Sequence, residues 1–156
     1  MVDTGDKAPT LALASDADET VKSVALKGKP YVLYFYPKDD TSGCTKEAIA
    51  FTEHADAFAE LGVPVFGVSP DSVASHQKFK TKHELAVTLL ADEDHALAEA
   101  YGVWVEKNMY GRKYMGVERS TFLVDASGKV AEVWRKVKVP GHADKVLDAV
   151  RAHVAG

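Results

Sequence analysis

The sequence predicts a three-layer α/β fold. Three observations carry that prediction. One is a continuous apolar and aromatic run, Tyr31-Val32-Leu33-Tyr34-Phe35-Tyr36, bounded by Pro30 and Pro37. The second is the alternation of such strand-like runs with segments of helical periodicity. The third is a strand pair followed by an amphipathic helix near the C-terminal end. At 156 residues and 46% hydrophobic content, the chain is expected to form a single domain over 1–156 that needs no metal or disulfide staple.

Residues 10–14 and 20–24, separated by the polar Ser15-Asp16-Ala17-Asp18-Glu19, read as a small hairpin at the sheet edge. The run 31–36 reads as a central strand buried on both faces, and it delivers the chain to a turn that ends at Cys44. Ala48, Phe51, Ala55 and Phe58 then form one stripe of a helix ending near Gly62, and 64–69 reads as a second buried strand. Pro70-Asp71-Ser72 supplies caps for a helix over 73–85, with Val73, His76 and Phe79 on one side. A short strand at 86–91 precedes a short helix, 95–101, that stops at Gly102. Residues 103–115, rich in glycine and aromatic side chains, read as a loop and a candidate pocket wall. The strands 117–124 and 129–137 flank Asp125-Ala126-Ser127-Gly128, a turn suited to a hairpin. After Pro140-Gly141 a final helix, 142–154, carries the stripe Ala143, Val146, Leu147 and Val150. No repeat, low-complexity segment or linker interrupts this order.

A net charge of -4 with interspersed signs excludes a nucleic-acid footprint, and Lys78, Lys80 and Lys82 read as a solvated helix face. The lone cysteine cannot form an intrachain disulfide, so a reducing, cytoplasmic location is expected. Residues 1–9 hold Asp3, Asp6 and Lys7 and no apolar signal core, and no run approaches the roughly 20 residues of a membrane span, so a soluble protein with no membrane partner is expected. His54, His76, His83, His95, His142 and His153 show no close ligand pair. They read as surface or packing residues, with no metal and no cofactor expected.

Cys44 closes Pro37-Lys38-Asp39-Asp40-Thr41-Ser42-Gly43-Cys44 and opens a helix, where free backbone N–H groups and the macrodipole stabilise an anion. It also falls on the stripe of Phe51 and Ala55, so a buried packing residue fits equally well. Thr41 can cap the helix through its hydroxyl or aim that hydroxyl toward the sulfur. Pro37 ends the strand, and the same rigidity would shield the sulfur from solvent. By alternation along 117–124, Arg119 shares a face with Val117, Thr121 and Leu123, where a guanidinium needs an anion; Glu47 and the thiolate are the available partners. An exposed arginine at a frayed strand end is the other reading.

Together these residues resemble the peroxiredoxin signature Pro-x-x-x-Thr-x-x-Cys, here Pro37, Thr41 and Cys44, with Glu47 in the next turn and Arg119 as the distant arginine. The chain is most similar to the bacterioferritin-comigratory or peroxiredoxin Q group. The stretches that carry this are Phe35-Tyr36-Pro37-Lys38-Asp39-Asp40-Thr41, Gly67-Val68-Ser69-Pro70-Asp71-Ser72, Tyr101-Gly102-Val103-Trp104, Gly116-Val117-Glu118-Arg119-Ser120-Thr121-Phe122 and Gly141-His142-Ala143-Asp144. The resemblance implies a thioredoxin-like sandwich, a central mixed sheet flanked by helices, and thiol peroxidase activity. It adds the Cys44 backbone N–H as a donor, with Pro37 limiting water and Glu47 orienting Arg119. Two departures stand out. Ile49 occupies the place, five residues on, where many members carry a resolving cysteine, and 73–85 holds none; Ser42 replaces a common proline.

The implied reaction is attack of the Cys44 thiolate on a peroxide oxygen, leaving a sulfenic acid. An unperturbed thiol of pKa about 8.5 is roughly 3% ionised at pH 7, so ionisation alone is worth at most about 30-fold, or roughly 2 kcal/mol. The larger share is assigned to Arg119 and Thr41 as donors to the breaking O–O bond. The expected partners are a hydroperoxide substrate and an external thiol reductant, a thioredoxin, glutaredoxin or glutathione system, acting on a monomer or weak homodimer in a one-cysteine cycle. A peroxide sensor using the same cysteine is the alternative. A glutathione peroxidase lacks support, because its usual glutamine and tryptophan companions are not apparent.

Overall fold

The computed structural model describes residues 2–156. Strand β3 (Tyr31–Phe35) is buried along its whole length, as its unbroken apolar run requires. Alternation sends Val32 and Tyr34 to one face of the sheet, and Tyr31, Leu33 and Phe35 to the other. On one side β3 runs parallel to β4 (Val65–Ser69), which runs parallel to β5 (Thr88–Ala91). Beyond β5 lie the antiparallel β1 (Ala12–Ser15) and β2 (Thr20–Lys22). On the other side β3 pairs antiparallel with β8 (Ser120–Val124), and β8 with β9 (Val130–Trp134). The seven-stranded mixed sheet has the order β2-β1-β5-β4-β3-β8-β9.

Helices α1 (Ser42–Glu53), α2 (Ala55–Glu60), α3 (Val73–His83) and α5 (His142–Ala155) cover the face that carries Val32 and Tyr34. Helix α4 (Ala96–Tyr101) packs Leu97, Ala98 and Tyr101 against Leu33, Phe35 and Phe122 on the other. Each large apolar side chain so buried contributes about 1.5–3 kcal/mol. The result is the thioredoxin-like three-layer sandwich that the resemblance implies. Tyr34 anchors α1 to the sheet: its ring stacks on Phe51 at 4.6 Å, and its tip lies over Gly67, where a Cβ would meet the Tyr34 hydroxyl at 2.7 Å.

Four expectations are corrected. Residues 103–115 are not a loop: β6 (Trp104–Met109) and β7 (Arg112–Val117) form a separate antiparallel hairpin, with Tyr110 and Gly111 both at positive φ as a two-residue hairpin turn demands. The strand expected over 117–124 is two elements, because Val117 ends β7, Ser120 starts β8, and Arg119 occupies the crossing between the two sheets. The helix expected to run to Gly62 breaks at His54, whose backbone (φ -98, ψ 6) leaves helical geometry and whose N–H turns back to the Phe51 carbonyl. Lys78 and Lys82 are exposed as expected, Lys82 in a surface pair with Asp40 at 2.6 Å, but Lys80 is half-buried and pairs with the buried Asp16 at 2.8 Å. The 125–128 hairpin turn, the stop at Gly102 and the stripe of α5 follow their sequence signals. Among the described residues, no helix is long and apolar enough to cross a membrane.

Candidate functional site

The site begins where β3 ends. Tyr36 still donates its N–H to the Val68 carbonyl at 3.0 Å, and Pro37, half-buried, then turns the chain off the sheet. Asp40 takes a left-handed backbone (φ 59), and α3 holds it there: Lys82 Nζ lies 2.6 Å and His83 Nε2 2.9 Å from its carboxylate. The hydrogen bonds from Lys82 and then His83 lower the Asp40 pKa. Thr41 follows in an extended conformation as the N-cap, its carbonyl accepting the Thr45 N–H at 2.9 Å. Helix α1 starts at Ser42, which places Cys44 in its first turn and Glu47 one turn further on the same side.

Cys44 is a free cysteine with 1% exposure, packed in the cluster that includes Tyr34, Tyr36, Ala48 and Phe51. Cys44 is thus a core side chain, as the packing reading has it, and its sulfur also accepts a donor. Arg119 Nη2 stands 3.2 Å from Sγ, and Nη1 donates to Glu47 Oε1 at 2.6 Å. A forked guanidinium suits this double duty, because its planar donors are fixed relative to each other. Glu47 is also 1% exposed, and its Oε2 has no hydrogen-bond partner. Burial pushes the Glu47 pKa up to about 7, with Arg119 partly offsetting the rise through its charge and hydrogen bond. Burial works against charge on Arg119, but Glu47 and the Cys44 sulfur outweigh it and raise the arginine pKa. Chemically, the arrangement aims a permanent cation at a buried sulfur and at any anion that develops beside it.

Arg119, Glu47 and Cys44 are thus brought together as the sequence expects, although Arg119 reaches them from the crossing between sheets rather than from a strand face. Thr41 corrects its expectation twice. Its side chain makes no capping bond, and its hydroxyl donates to the Lys38 carbonyl at 2.9 Å. With the proton committed there, the oxygen is left to accept rather than donate.

Several neighbours were not legible as site residues. Gly43 lets Arg119 approach, since a Cβ on it would lie 3.3 Å from Nη2. Only the small residue itself, directly before the cysteine, could have signalled this. Lys107 of β6 is half-buried, its stem lying over Gly116, and its pKa is lowered by burial and then by the Arg119 charge. The strand pairing of 104–117 was the missing signal there. Two histidines are fully inside: His76 at 0% exposure, paired with Asp39 at 2.7 Å, and His142, 2.7 Å from the Thr121 hydroxyl. Burial, then Lys145 and Arg119, push the His142 pKa down to about 4. Among the described residues, no group of histidine, cysteine, aspartate and glutamate side chains converges as a metal site would.

The model of the AhpC/TSA family matches residues 4–133. Peroxiredoxin Bcp of Bacillus subtilis is 51% identical over 150 residues, covering 96% of this chain and 96% of that protein. A solved structure of Xanthomonas campestris bacterioferritin comigratory protein, described for its alkyl peroxide reduction activity, superposes with a TM-score of 0.88 at 46% identity, covering 92% of each chain. A cysteine-to-serine mutant of Xylella fastidiosa PrxQ superposes with a TM-score of 0.93 at 37% identity, covering 98% of each.

Proposed function

The chain belongs to the AhpC/TSA family and is a peroxiredoxin, a thiol-dependent peroxidase, and we propose that Cys44 is its peroxidatic cysteine, working in a one-cysteine cycle completed by an external thiol. The observation that carries this reading is the 3.2 Å contact between Arg119 Nη2 and Cys44 Sγ, with Arg119 itself held by Glu47.

The Cys44 thiolate attacks the terminal oxygen of a hydroperoxide ROOH. An S–O bond forms, the O–O bond breaks, and the departing alkoxide takes up a proton as ROH, leaving Cys44 as a sulfenic acid that carries the terminal oxygen and its hydrogen. Arg119 stabilises the negative charge that moves from sulfur to the leaving oxygen. The Cys44 backbone N–H donates to the same region. The Thr41 oxygen accepts the hydroperoxide O–H and so orients the attacked oxygen, and Pro37 limits water. Glu47 positions Arg119. Positioning of this kind, not ionisation, accounts for rates beyond about 30-fold over a free thiol.

The sulfenic acid then condenses with an outside thiol, releasing water and forming a mixed disulfide, and a second outside thiol displaces Cys44 as the thiol. Support for the external step is compositional: the chain has one cysteine, and Ile49 stands exposed on α1 where an internal partner would be expected. Alkyl hydroperoxides are the proposed substrates beside hydrogen peroxide, by extension from the Xanthomonas relative. Thioredoxin, glutaredoxin and glutathione systems are the reductants to compare. The reading is tested by peroxide consumption with each: Cys44→Ser should abolish it, and the wild type should turn over only with an added thiol system. Activity surviving in Cys44→Ser would overturn it.

A further inference from the structure

A buried polar set distinct from the Cys44, Glu47 and Arg119 cluster lies under the turn that leads into α1. His76, on α3, is fully buried. Its Nε2 stands 2.9 Å from the Leu90 carbonyl oxygen and its Nδ1 2.7 Å from Asp39 Oδ2. A carbonyl oxygen only accepts, so Nε2 carries a proton. Asp39 receives the Tyr36 hydroxyl at Oδ1 (2.6 Å) and the Ser75 hydroxyl at Oδ2 (2.8 Å), so it faces Nδ1 as an acceptor. With Asp39 as a carboxylate, acceptors stand at both ring nitrogens, and an imidazolium satisfies the set. The Asp39 N–H donates onward to Asp71 Oδ2 at 2.8 Å, which also takes the Ser69 hydroxyl at 2.6 Å. The end of β3, the cysteine turn, the start of α3 and β5 are thereby tied at one point, two residues before Thr41 in the chain.

We propose that His76, as an imidazolium paired with Asp39, is a positioning residue for the peroxide reaction: it holds the 37–41 turn so that Thr41 and the first turn of α1 keep the Cys44 sulfur in register with Arg119. This rests on the reading of Cys44 as the peroxidatic cysteine. Helix α3 alone would be satisfied by an apolar residue at this position, and a fully buried ion pair offers little stability over such a residue. What the pair supplies is a fixed location for the turn. The direction of the His76 titration agrees. Burial opposes its charge, but the hydrogen bond and charge of Asp39, the Leu90 carbonyl and Asp71 outweigh that and raise its pKa above the ordinary 6.5. The titratable groups that face it are Asp39 from the turn, Tyr36 from the end of β3 and Asp71 from the segment before α3; β5 presents only the Leu90 carbonyl. The pKa of the Tyr36 hydroxyl is itself raised well above its usual value, by burial and then by Tyr34 and Asp39. The charge on His76 is therefore retained above the ordinary 6.5, and it is lost as pH rises through the higher folded-state pKa.

Two chemistries at one sulfur separate positioning from general stability. Reduction of hydrogen peroxide needs Arg119 and Thr41 in place, whereas alkylation by iodoacetamide needs only an accessible thiolate, so the ratio of the two rates cancels the thiolate fraction. In His76→Gln and Asp39→Asn the ratio should fall on the order of tenfold to a hundredfold, with alkylation unchanged or faster. Ser75→Ala, which removes one donor and leaves the ion pair, should keep a ratio close to wild type. In the wild type, ring nitrogen chemical shifts should report both His76 nitrogens protonated at neutral pH, and the rate ratio should fall in alkali as that signature disappears. The two wild-type measurements decide the matter even if a variant fails to fold. A neutral His76 at neutral pH, or a ratio that is flat through its titration, overturns the proposal, as does a folded His76→Gln variant with an unchanged ratio. A wild-type Cys44 inert to peroxide would instead overturn the peroxidatic reading itself.

Discussion

Arg119 donates to the Cys44 sulfur at 3.2 Å from a position between two sheets, with its other terminal nitrogen fixed on Glu47 at 2.6 Å. The guanidinium is thus held in place by its own contacts, and on the proposed mechanism it needs no reorganisation as charge develops on the leaving oxygen. Arg119→Met should lower the second-order rate with hydrogen peroxide by well over the roughly 30-fold that ionisation alone can supply. The fold should survive, because a Glu47 carboxyl already pushed up to about 7 can take a proton in place of its lost partner. Thr41→Val should show a comparable loss, and Thr41→Ser, which keeps the accepting oxygen, should not. Stopped-flow peroxide reduction beside thermal unfolding checks each point, and losses of only a few fold would sink the electrostatic role of Arg119.

Gly43 and Arg119 set up a test in which stability and activity move apart. A Cβ at Gly43 would stand 3.3 Å from Nη2, so alanine there should push the guanidinium off the sulfur and slow the peroxide step several fold. Inside α1 the same change removes the conformational freedom of glycine, which favours folding by up to about 0.5–1 kcal/mol. Denaturant titration and single-turnover kinetics on Gly43→Ala should therefore give opposite signs.

Glu47 makes the site sensitive to pH. Its folded-state pKa of about 7 lies above the ordinary 4.5, so the native protein holds this proton more tightly than the unfolded chain does. The sign follows: stability falls as pH rises from 4.5 through about 7, while the ionised carboxylate that grips Arg119 forms over the same window. Glu47→Gln should flatten both dependences near pH 7 and lower the rate there. Unfolding free energy and peroxide rate measured across that range, in wild type and variant, should show both effects, and an unchanged pair of profiles would contradict them.

Gly67 tests how α1 is seated. Its missing side chain accommodates the Tyr34 hydroxyl and ring edge, 2.7 Å from where a Cβ would be, and Tyr34 in turn stacks on Phe51 of α1. Alanine at this position forces overpacking against an aromatic tip, a class of change that costs about 1–3 kcal/mol. The loss should appear in thermal unfolding, and Gly67→Ala with Tyr34→Leu should recover part of it.

Much of the site was legible because it is local. Pro37, Thr41, Cys44 and Glu47 lie within one turn and the first coils of one helix, where spacing alone sets which side chains share a side. Arg119 was legible for a different reason, the need of a cation in apolar surroundings for an anion, even though it lies outside any strand, after β7 ends at Val117 and before β8 starts at Ser120. What spacing does not encode is contact across elements. The approach of Arg119 over Gly43, the Asp39 to His76 pair and the half-buried Lys107 each depend on which helix or hairpin docks beside the turn. The β6–β7 hairpin was missed because its turn uses Tyr110 in a left-handed conformation, where tyrosine is uncommon and Asn-Gly is the usual signal. The Thr41 hydroxyl was misassigned because a local carbonyl, Lys38, competes for its proton.

The most direct measurement is a stoichiometric titration of the reduced wild-type protein with hydrogen peroxide, followed by mass spectrometry of the Cys44 peptide. With one cysteine in the chain, each subunit should consume one equivalent, gain a single oxygen at Cys44 trapped as the sulfenic acid, and resume turnover only when an external thiol is added. Consumption beyond one equivalent without a thiol, with Cys44 left as the free thiol, would contradict the one-cysteine cycle.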